Sequence, residues 1–308
     1  MDRYFAHGKL LLTAEYFVLD GAPALAAPTR AGQWMHVAPA NETETLTWNS
    51  LDETGQPWFS ARWAWNDEAV IPVASSDTNA ALRLQQLFTD ALRQNPNCLA
   101  QLKGAQVTTR LEFPRHWGLG TSSTLVSNLA RWLDVDAWTL LAAAFGGSGY
   151  DLACADAPGP ILYQLRQGRP QIIDLPWRPP YADRLFFIHL GAKQDSREGI
   201  ARYRARAGAV GAALNRIGEL TLAQLAAQTP EAAADVLAEH EAVVGEALGM
   251  TPLGQGRFAD FPGQLKSLGA WGGDFALALA RTPEREAVAR YFARHGLQEL
   301  LSYDEMML

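Results

Sequence analysis

Alternating apolar and polar positions mark the first half of the chain as rich in strands. Residues 57–65, Pro-Trp-Phe-Ser-Ala-Arg-Trp-Ala-Trp, alternate with a period of two, and residues 105–113 do the same. That period is typical of a strand with one buried face. Further apolar, β-capable segments predict strands at 3–12, 15–19, 33–38, 44–48, 160–165 and 185–190.

Helical periodicity appears between these strands and dominates the second half. Asp77 is a predicted N-cap, because the apolar positions that follow it to about Gln94 recur at helical spacing. Further helices are predicted at 121–133, 136–145 and 283–294, and across 196–248 with breaks near Gly208–Gly211 and at Pro230. Strands that precede long helices predict an α+β protein with two lobes, and we place the boundary near residue 180. The predicted lobes are 1–180 and 181–308.

Composition and charge narrow the class of protein. The chain has 308 residues, 48% of them hydrophobic, and a formal net charge of −7. The apolar content excludes wholesale disorder. An acidic chain lacks the basic field that nucleic acids require, so we expect no nucleic-acid partner. A small anionic molecule can still bind in a locally basic pocket.

Cysteine usage and the apolar segments indicate a soluble cytoplasmic protein. Cys98 and Cys154 are too few for a disulfide framework or a four-ligand zinc site, and we expect two buried thiols. No apolar run is long enough to cross a membrane. Lys9, Glu15 and Asp20 interrupt the N-terminal apolar segment, which therefore does not predict a signal peptide.

The glycine-rich segment 118–124, Gly-Leu-Gly-Thr-Ser-Ser-Thr, carries the strongest chemical signal. It follows a predicted strand and opens a predicted helix, so its backbone can approach an anion that faces the helix N-terminus. The hydroxyl groups of Thr121, Ser122 and Ser123 can donate to phosphate or bind magnesium. It is neither a Walker loop nor a dinucleotide-binding fingerprint. A turn capped by a hydroxyl group, with no ligand, is the alternative.

A second glycine-rich segment, 146–151, ends in an aspartate. Its sequence is Gly-Gly-Ser-Gly-Tyr-Asp, and glycines at this density indicate unusual backbone angles or a close approach. Asp151 could accept a proton from a hydroxyl nucleophile. A helix cap is the alternative role for this side chain.

Three more segments contribute candidates. Residues 267–274, Ser-Leu-Gly-Ala-Trp-Gly-Gly-Asp, form a third glycine-rich turn, and residues 7–16 contain Lys9, one of only four lysines. Lys193 and Arg197 lie in 191–204, where they could meet an anionic substrate or form a solvated first helical turn.

Taken together, these segments resemble the GHMP small-molecule kinases. The resemblance spans about Tyr4 to Leu279 and consists of a Gly-Lys motif, a central Gly-Leu-Gly-Thr-Ser loop and a late glycine-rich motif. It implies a two-lobed fold with an N-terminal mixed-sheet lobe and a helix-rich C-terminal lobe that has an antiparallel sheet. Glu15-Tyr16 and Gly273-Asp274 are most similar to the phosphomevalonate kinases within the mevalonate-pathway group.

The resemblance also implies roles for individual residues. Asp151 would be the catalytic base and Lys9 the cation beside the transferred phosphoryl group. ATP would bind along Gly118, Leu119, Gly120, Thr121, Ser122 and Ser123, with Mg²⁺ near Ser122 or Thr121. The implied substrate-binding residues are Glu15, Tyr16, Ser148, Gly149, Gly269, Ala270, Gly272 and Gly273. The two cationic candidates named above, Lys193 and Arg197, complete the predicted substrate-binding set.

Two departures from the family pattern affect the details of this prediction. Mevalonate kinases carry a magnesium-binding glutamate in the helix before the aspartate segment, whereas Trp138–Phe145 contains no acid. Trp271 stands where the late motif usually has a small residue, which leaves nucleotide and substrate preference open.

The sequence therefore predicts an ATP-dependent phosphotransferase for mevalonate or phosphomevalonate. Two alternatives stay open: a kinase of the same fold that acts on a sugar or an amino-acid alcohol, and a non-catalytic binding protein. The predicted partner is a small molecule, and the sequence leaves the oligomeric state open, with a homodimer as one option.

Overall fold

The computed structural model describes residues 1–40, 42, 44–66, 69–191, 196–206, 210–271 and 273–308. Its strands are β1 (Asp2–Leu11), β2 (Ala24–Pro39), β3 (Thr45–Leu51), β4 (Pro57–Asn66), β5 (Ala69–Ser75), β6 (Ala105–Leu111), β7 (Ile161–Arg166), β8 (Arg169–Asp174), β9 (Leu185–His189), β10 (Gly263–Ser267), β11 (Phe275–Ala280) and β12 (Leu300–Ser302).

The helices follow the predicted periodicity closely. They are α1 (Thr78–Gln94), α2 (Leu99–Leu102), α3 (Thr121–Leu133), α4 (Ala137–Ala144), α5 (Tyr150–Ala155), α6 (Ser196–Ala205), α7 (Val210–Ala226), α8 (Pro230–Leu248), α9 (Arg285–Ala293) and α10 (Tyr303–Met306). The predicted cap of α1 is confirmed, because the Asp77 side chain accepts from the backbone N–H groups of Asn79 and Ala80.

The predicted strand at 15–19 is wrong. Phe17–Asp20 forms a 3-10 turn, and Ala14 and Tyr16 before it have positive φ angles. Phe17 and Val18 are apolar because this turn is buried. The sequence pattern also did not predict strands β10, β11 and β12. It likewise did not predict β5 and β8, which contain Pro72 and Pro170 and lie at the two ends of their sheet. Proline is typical of such edge strands.

Hydrogen bonding groups the described strands into a mixed sheet and an antiparallel sheet, as the α+β prediction requires. The mixed sheet has the order β5-β4-β3-β6-β2-β7-β8, with β1 paired to β2. Within it β3 and β6 are parallel. The second sheet has the order β10-β11-β9-β12, and all of its pairs are antiparallel.

The chain divides into two compact units that interleave along the sequence. The first unit contains residues 1–8, 31–115 and 119–156, and the second contains 9–30, 116–118 and 157–308. The lobes 1–180 and 181–308 stay a prediction.

The core of the first unit lies between its strands and helices α1 and α3. Alternate residues of β4 are buried, namely Phe59, Ala61 and Trp63, and they belong to this core. The tryptophan-rich segment is therefore a core strand. Val107 and Leu111 of β6 are buried in the same way, which confirms the predicted period of two.

The second unit is built on the four-stranded antiparallel sheet. Its core packs residues of β9 and β11 against Phe258, Phe261 and Phe292. One end of this sheet holds the last residue of β9, His189, which pairs with Phe275 at the start of β11. β11 begins at this end of the sheet, directly after Asp274.

Two further expectations can be compared with the described residues. Both cysteines are buried and free, as predicted. Among these residues, no helix combines the length and the apolar character needed to cross a bilayer.

Candidate active site

Lys9 and Gly118 meet in the second unit although 109 positions separate them. The Lys9 ammonium donates a hydrogen bond to the Gly118 carbonyl oxygen over 2.9 Å, and Lys9 is half-buried. Gly118 is the first residue of the central glycine-rich loop. The contact therefore joins the N-terminal Gly-Lys motif to the start of that loop.

Asp274 of the late glycine-rich motif also lies beside Gly118. Gly118 has a φ of +69°, and a Cβ atom placed there would lie 2.5 Å from the Asp274 carboxylate. A Cβ at Gly269 would lie 3.6 Å from the same carboxylate. The Leu190 N–H donates a hydrogen bond to the Asp274 carbonyl oxygen over 2.8 Å, at the end of the antiparallel sheet. The Lys9 ammonium and the Asp274 carboxylate thus both lie beside Gly118, the first residue of the central loop.

Replacing Gly118 with alanine is expected to destabilise the protein by about 1–3 kcal/mol, because a side chain at a left-handed φ is strained and this one also meets Asp274. Gly168→Ala is the matched control, since Gly168 has a φ of +74° and open space around its Cβ position. Urea denaturation measures both free energies of unfolding. Equal losses in the two variants would contradict the close approach of Gly118 to Asp274.

Glu15 and Lys266 form an ion pair that is fully buried beside these motifs. The Lys266 ammonium donates to Glu15 Oε1 and, over 3.0 Å, to the Ser267 carbonyl oxygen. Both side chains are 0% exposed. Burial raises the pKa of Glu15, and the nearby Lys266 ammonium opposes that rise. The pair joins the segment after Lys9 to the strand that leads into the late glycine motif.

His240 of α8 supports the same segment as a neutral ring. The Ala14 N–H donates to His240 Nε2 over 2.9 Å, so this nitrogen carries no proton. Burial and the Lys266 ammonium hold the pKa of His240 well below its usual range. Ala14 and Tyr16 have φ angles of +64° and +66°. Such strained backbone persists where surrounding contacts fix it, and it often lies at functional sites.

Glu241, the next residue of α8, completes this cluster. Its Oε1 accepts from the Ser267 N–H over 2.7 Å. Burial raises the pKa of Glu241 to about 7, although the Lys266 ammonium opposes that rise. A carboxyl group with this pKa binds a proton in the folded chain at pH values where the unfolded chain has lost it.

Glu241 is expected to make stability fall as the pH rises. Its pKa is raised on folding, so its stabilising contribution is complete below about pH 4.5 and is lost as the pH rises through about 7. We expect the advantage of the wild-type chain over Glu241→Gln, measured by urea denaturation, to shrink between about pH 5 and about pH 8. Glu246→Gln, at an exposed position of the same helix, is the control and should show no such trend. A constant wild-type advantage at the two pH values would contradict the raised pKa.

Tyr16 and Trp271 line a small cavity of the second unit. Glu198, Gly199 and Arg202 of α6 also line it, together with Leu248, Met250 and Ala270. Burial raises the pKa of Tyr16 to about 12, so its hydroxyl group keeps its proton at neutral pH. The Trp271 indole is buried and its Nε1 has no hydrogen-bond partner. The residues that line the cavity thus include a cation, a carboxylate and two protonated donors.

The bulky Trp271 is accommodated by a glycine in the neighbouring helix. A Cβ at Gly245 of α8 would lie 3.3 Å from the far edge of the indole. The side chain that departs from the family pattern therefore packs against α8.

In the first unit, the central loop ends at a helix N-terminus that no side chain caps. Gly120 is the N-cap of α3 with a φ of 93°, and it has no side-chain cap bond. The Ser123 hydroxyl donates to the Gly120 carbonyl oxygen over 2.9 Å, while Ser122 is exposed and Thr121 half-buried. Ser123 therefore helps to build the turn. The N–H groups of the first helical turn, with Thr121 and Ser122, remain available to an anion.

The Asp151 segment has a similar construction. Gly146, Gly147 and Gly149 all have positive φ angles, and Gly149 is the N-cap of α5. Asp151 lies in the first turn of this helix, is half-buried, and accepts from the Leu152 N–H over 3.0 Å. The neighbouring Ser148 is buried. The positive φ angles agree with the unusual backbone that the density of glycines predicted, and Gly149, not Asp151, is the N-cap of this helix.

The predicted site residues divide between the two units. Lys9, Glu15, Tyr16, Gly118, Gly269, Ala270 and Gly273 belong to the second unit, and Leu119–Ser123 and Ser148–Asp151 belong to the first. Lys193 and Gly272 lie outside the described residues, and for Arg197 only its backbone position in α6 is described.

Sequence reasoning missed three members of the buried cluster and the role of Asp274. Lys266 directly precedes the late motif, and Asp274 entered the prediction only as part of the resemblance. His240 and Glu241 are adjacent polar residues in an apolar, alanine-rich helix, which is the signal that could have found them. Their partners Ala14 and Ser267 are 226 and 26 positions away.

Several solved structures of similar fold are named as small-molecule kinases. The chain is similar to the Streptococcus pneumoniae phosphomevalonate kinase in complex with phosphomevalonate and AMPPNP, with 16% identity, 98% and 100% coverage of the two chains and a TM-score of 0.72. It is also similar to the L. major mevalonate kinase in complex with R-mevalonate, with 14% identity, 98% coverage of this chain, 95% coverage of the mevalonate kinase and a TM-score of 0.66. It is similar as well to the Lactococcus lactis galactokinase complexed with galactose, with 13% identity, 100% coverage of this chain, 93% coverage of the galactokinase and a TM-score of 0.69. No family model and no curated protein matches the sequence.

Proposed function

Because the chain has the fold of the GHMP kinases, we propose that it transfers the γ-phosphoryl group of ATP to a small metabolite. The observation that carries this proposal is the meeting of Lys9, Gly118 and Asp274, which come from three distant glycine-containing motifs. Phosphoryl transfer requires alignment and neutralisation of charge, with little covalent work by the protein. The Lys9 ammonium beside the glycine-rich loop would supply part of the alignment and part of the charge neutralisation.

The residues of the central loop fit a triphosphate. The α3 N-terminus has no side-chain cap, and the exposed Ser122 hydroxyl lies in its first turn. Backbone N–H groups and the helix dipole favour an anion at that position. Hydroxyl oxygens suit Mg²⁺, which usually takes few protein ligands and binds mainly phosphate oxygens and water. When bound, the ion would neutralise charge on the phosphates.

In this proposal Lys9 and Asp151 have separate tasks. Lys9 stabilises negative charge near the transferred group, and Asp151 orients the acceptor and takes its hydroxyl proton. For an acceptor that is already a phosphate, Asp151 matters more for positioning. The buried Glu15–Lys266 pair and His240 hold the backbone that follows Lys9.

We propose mevalonate or phosphomevalonate as the acceptor. Glu15-Tyr16 and Gly273-Asp274 support this choice because they resemble the phosphomevalonate kinases, and two of the similar structures carry the corresponding ligands in their names. The galactokinase similarity keeps a sugar as the second candidate.

The test is acceptor-dependent ADP formation by the full chain with ATP and Mg²⁺. Mevalonate, 5-phosphomevalonate, galactose and homoserine are compared side by side, and mass spectrometry identifies the phosphorylated product. We expect turnover with one mevalonate-pathway acceptor and its loss in Lys9→Met. Lys103→Met is the matched control, because Lys103 pairs with Glu44 at the surface.

The outcomes separate the candidates. Turnover with galactose or homoserine alone would contradict the proposed acceptor. It would still support the proposed ATP-dependent kinase activity. Binding of ATP without turnover on a wider panel of alcohols and phosphates would favour a non-catalytic binding protein and overturn the proposal.

A further inference from the structure

His116, His189 and Glu299 form a cluster of potential metal ligands at one end of the antiparallel sheet. One ligand atom from each residue lies within 4.8 Å of the others. His189 is the last residue of β9, Glu299 directly precedes β12, and His116 lies in the 3-10 turn 115–117. The His189 N–H donates to the Glu299 carbonyl oxygen over 3.0 Å. The sheet therefore fixes the backbone of two of the three residues.

The contacts of His189 are hard to satisfy without a cation. Its Nδ1 accepts a hydrogen bond from the Gly191 N–H over 3.3 Å, so this nitrogen presents a lone pair. The same Nδ1 lies 3.3 Å from Glu299 Oε2. One nitrogen cannot accept from Gly191 and also donate to Glu299. The Nδ1 lone pair of the buried His189 ring therefore faces a carboxylate oxygen of the exposed Glu299.

The 3.3 Å between His189 Nδ1 and Glu299 Oε2 matches the spacing of two ligands on a zinc ion, which would take the single Nδ1 lone pair in place of the Gly191 N–H. With metal–ligand bonds of about 2.0–2.2 Å, two ligands of a tetrahedral Zn²⁺ lie about 3.3–3.5 Å apart. Imidazole and carboxylate are both ordinary zinc ligands. The His116 side chain is exposed, so a change of rotamer can bring its ring to the third position.

The surroundings supply the outer contacts that metal sites usually have. Trp117 Nε1 donates to Glu299 Oε2 over 2.7 Å, which orients the carboxylate. The Trp117 ring lies edge-on to Phe275 at 5.3 Å and stacks on His189 at 6.2 Å. Outer partners of this kind fix the orientation of metal ligands and raise affinity.

We propose that His116, His189 and Glu299 bind one divalent zinc-type cation, with water as the fourth ligand. The ion would fasten the turn 115–117 to the ends of β9 and β12. Gly118, which accepts from Lys9, directly follows that turn. The site is distinct from the residues assigned to nucleotide and acceptor, so it does not depend on the proposed kinase activity.

The experiment is calorimetric titration of the chelator-treated full chain with Zn²⁺, in the presence of excess Mg²⁺. We expect one saturable equivalent, because Mg²⁺ prefers oxygen ligands and does not compete for imidazole. Glu299→Gln and His116→Ala change exposed side chains and should each abolish or strongly weaken this binding. Trp117→Phe removes the hydrogen bond to Glu299 and should weaken binding about 10–100-fold.

Two controls and a melting curve complete the design. His36→Ala and Glu286→Gln remove a histidine and an exposed carboxylate elsewhere and should bind Zn²⁺ as the wild-type chain does. Zn²⁺ should raise the melting temperature of the wild-type chain but not of Glu299→Gln, since binding to the folded state stabilises it. Absence of saturable binding, or binding that survives both ligand substitutions and is therefore an adventitious ion only, would overturn the proposal.

Discussion

Asp151→Asn is expected to lower acceptor-dependent ADP formation by about two to four powers of ten, the usual contribution of an oriented base. The substitution keeps a side-chain oxygen that can accept from the Leu152 N–H, so α5 and its glycine N-cap should stay intact. ATP binding should be unchanged, because the loss concerns proton transfer and orientation of the acceptor. Turnover by the full chain and a separate nucleotide titration measure the two effects.

The matched control for this substitution is Asp156→Asn. Asp156 follows the same helix, pairs with Arg131 and accepts from Ser127, so it tests the loss of a carboxylate without loss of the base. We expect a small effect on turnover. If Asp151→Asn retained full turnover while binding ATP, the assignment of Asp151 would be wrong. If the acceptor were phosphomevalonate, the loss in Asp151→Asn should lie at the lower end of the range.

Lys266→Met is expected to destabilise the protein by about 3–5 kcal/mol, because it leaves the Glu15 carboxylate buried without its cation. Methionine has a similar length and apolar character, so little packing volume is lost. Glu15 is fully buried, and its Oε2 already has no hydrogen-bond partner, so water cannot replace the lost ammonium without opening the core. Urea denaturation of the full chain measures the free energy of unfolding.

The double variant Glu15→Gln/Lys266→Met tests the mechanism of that loss. Removing both charges should cost clearly less than the sum of the single substitutions, since neither charge is then left alone. Lys103→Met breaks the surface pair with Glu44 and should cost only about 0–1 kcal/mol. A loss in Lys266→Met no larger than in this control would contradict a coupled buried pair.

The two experiments also separate chemistry from positioning. Asp151→Asn should change turnover and leave stability almost unaltered. Lys266→Met should mainly lower stability. Any loss of turnover in this variant should follow from displacement of the segment around Ala14 and Tyr16.

Local sequence patterns predicted most of the secondary structure. The cap at Asp77 follows from its carboxylate, and the start of α3 follows from Gly120 and the spacing of the apolar residues after it, all within about one helical turn. The strand at 15–19 failed because apolar residues in a buried 3-10 turn have the same composition as a short buried strand. The edge strands β5 and β8 were missed because proline and exposed apolar residues obscure the alternation.

The sequence by itself determined the glycine-rich motifs and the types of chemical group beside them: Lys9, Asp151 and the hydroxyls of the central loop. Only the tertiary structure decided that Gly118 lies against Asp274, that Glu15 pairs with Lys266, and that His240 holds Ala14. The reason is physical: a turn or a cap is set by neighbours along the chain. The partner of a buried charge, in contrast, is chosen by which distant segments the folded core brings within hydrogen-bond distance.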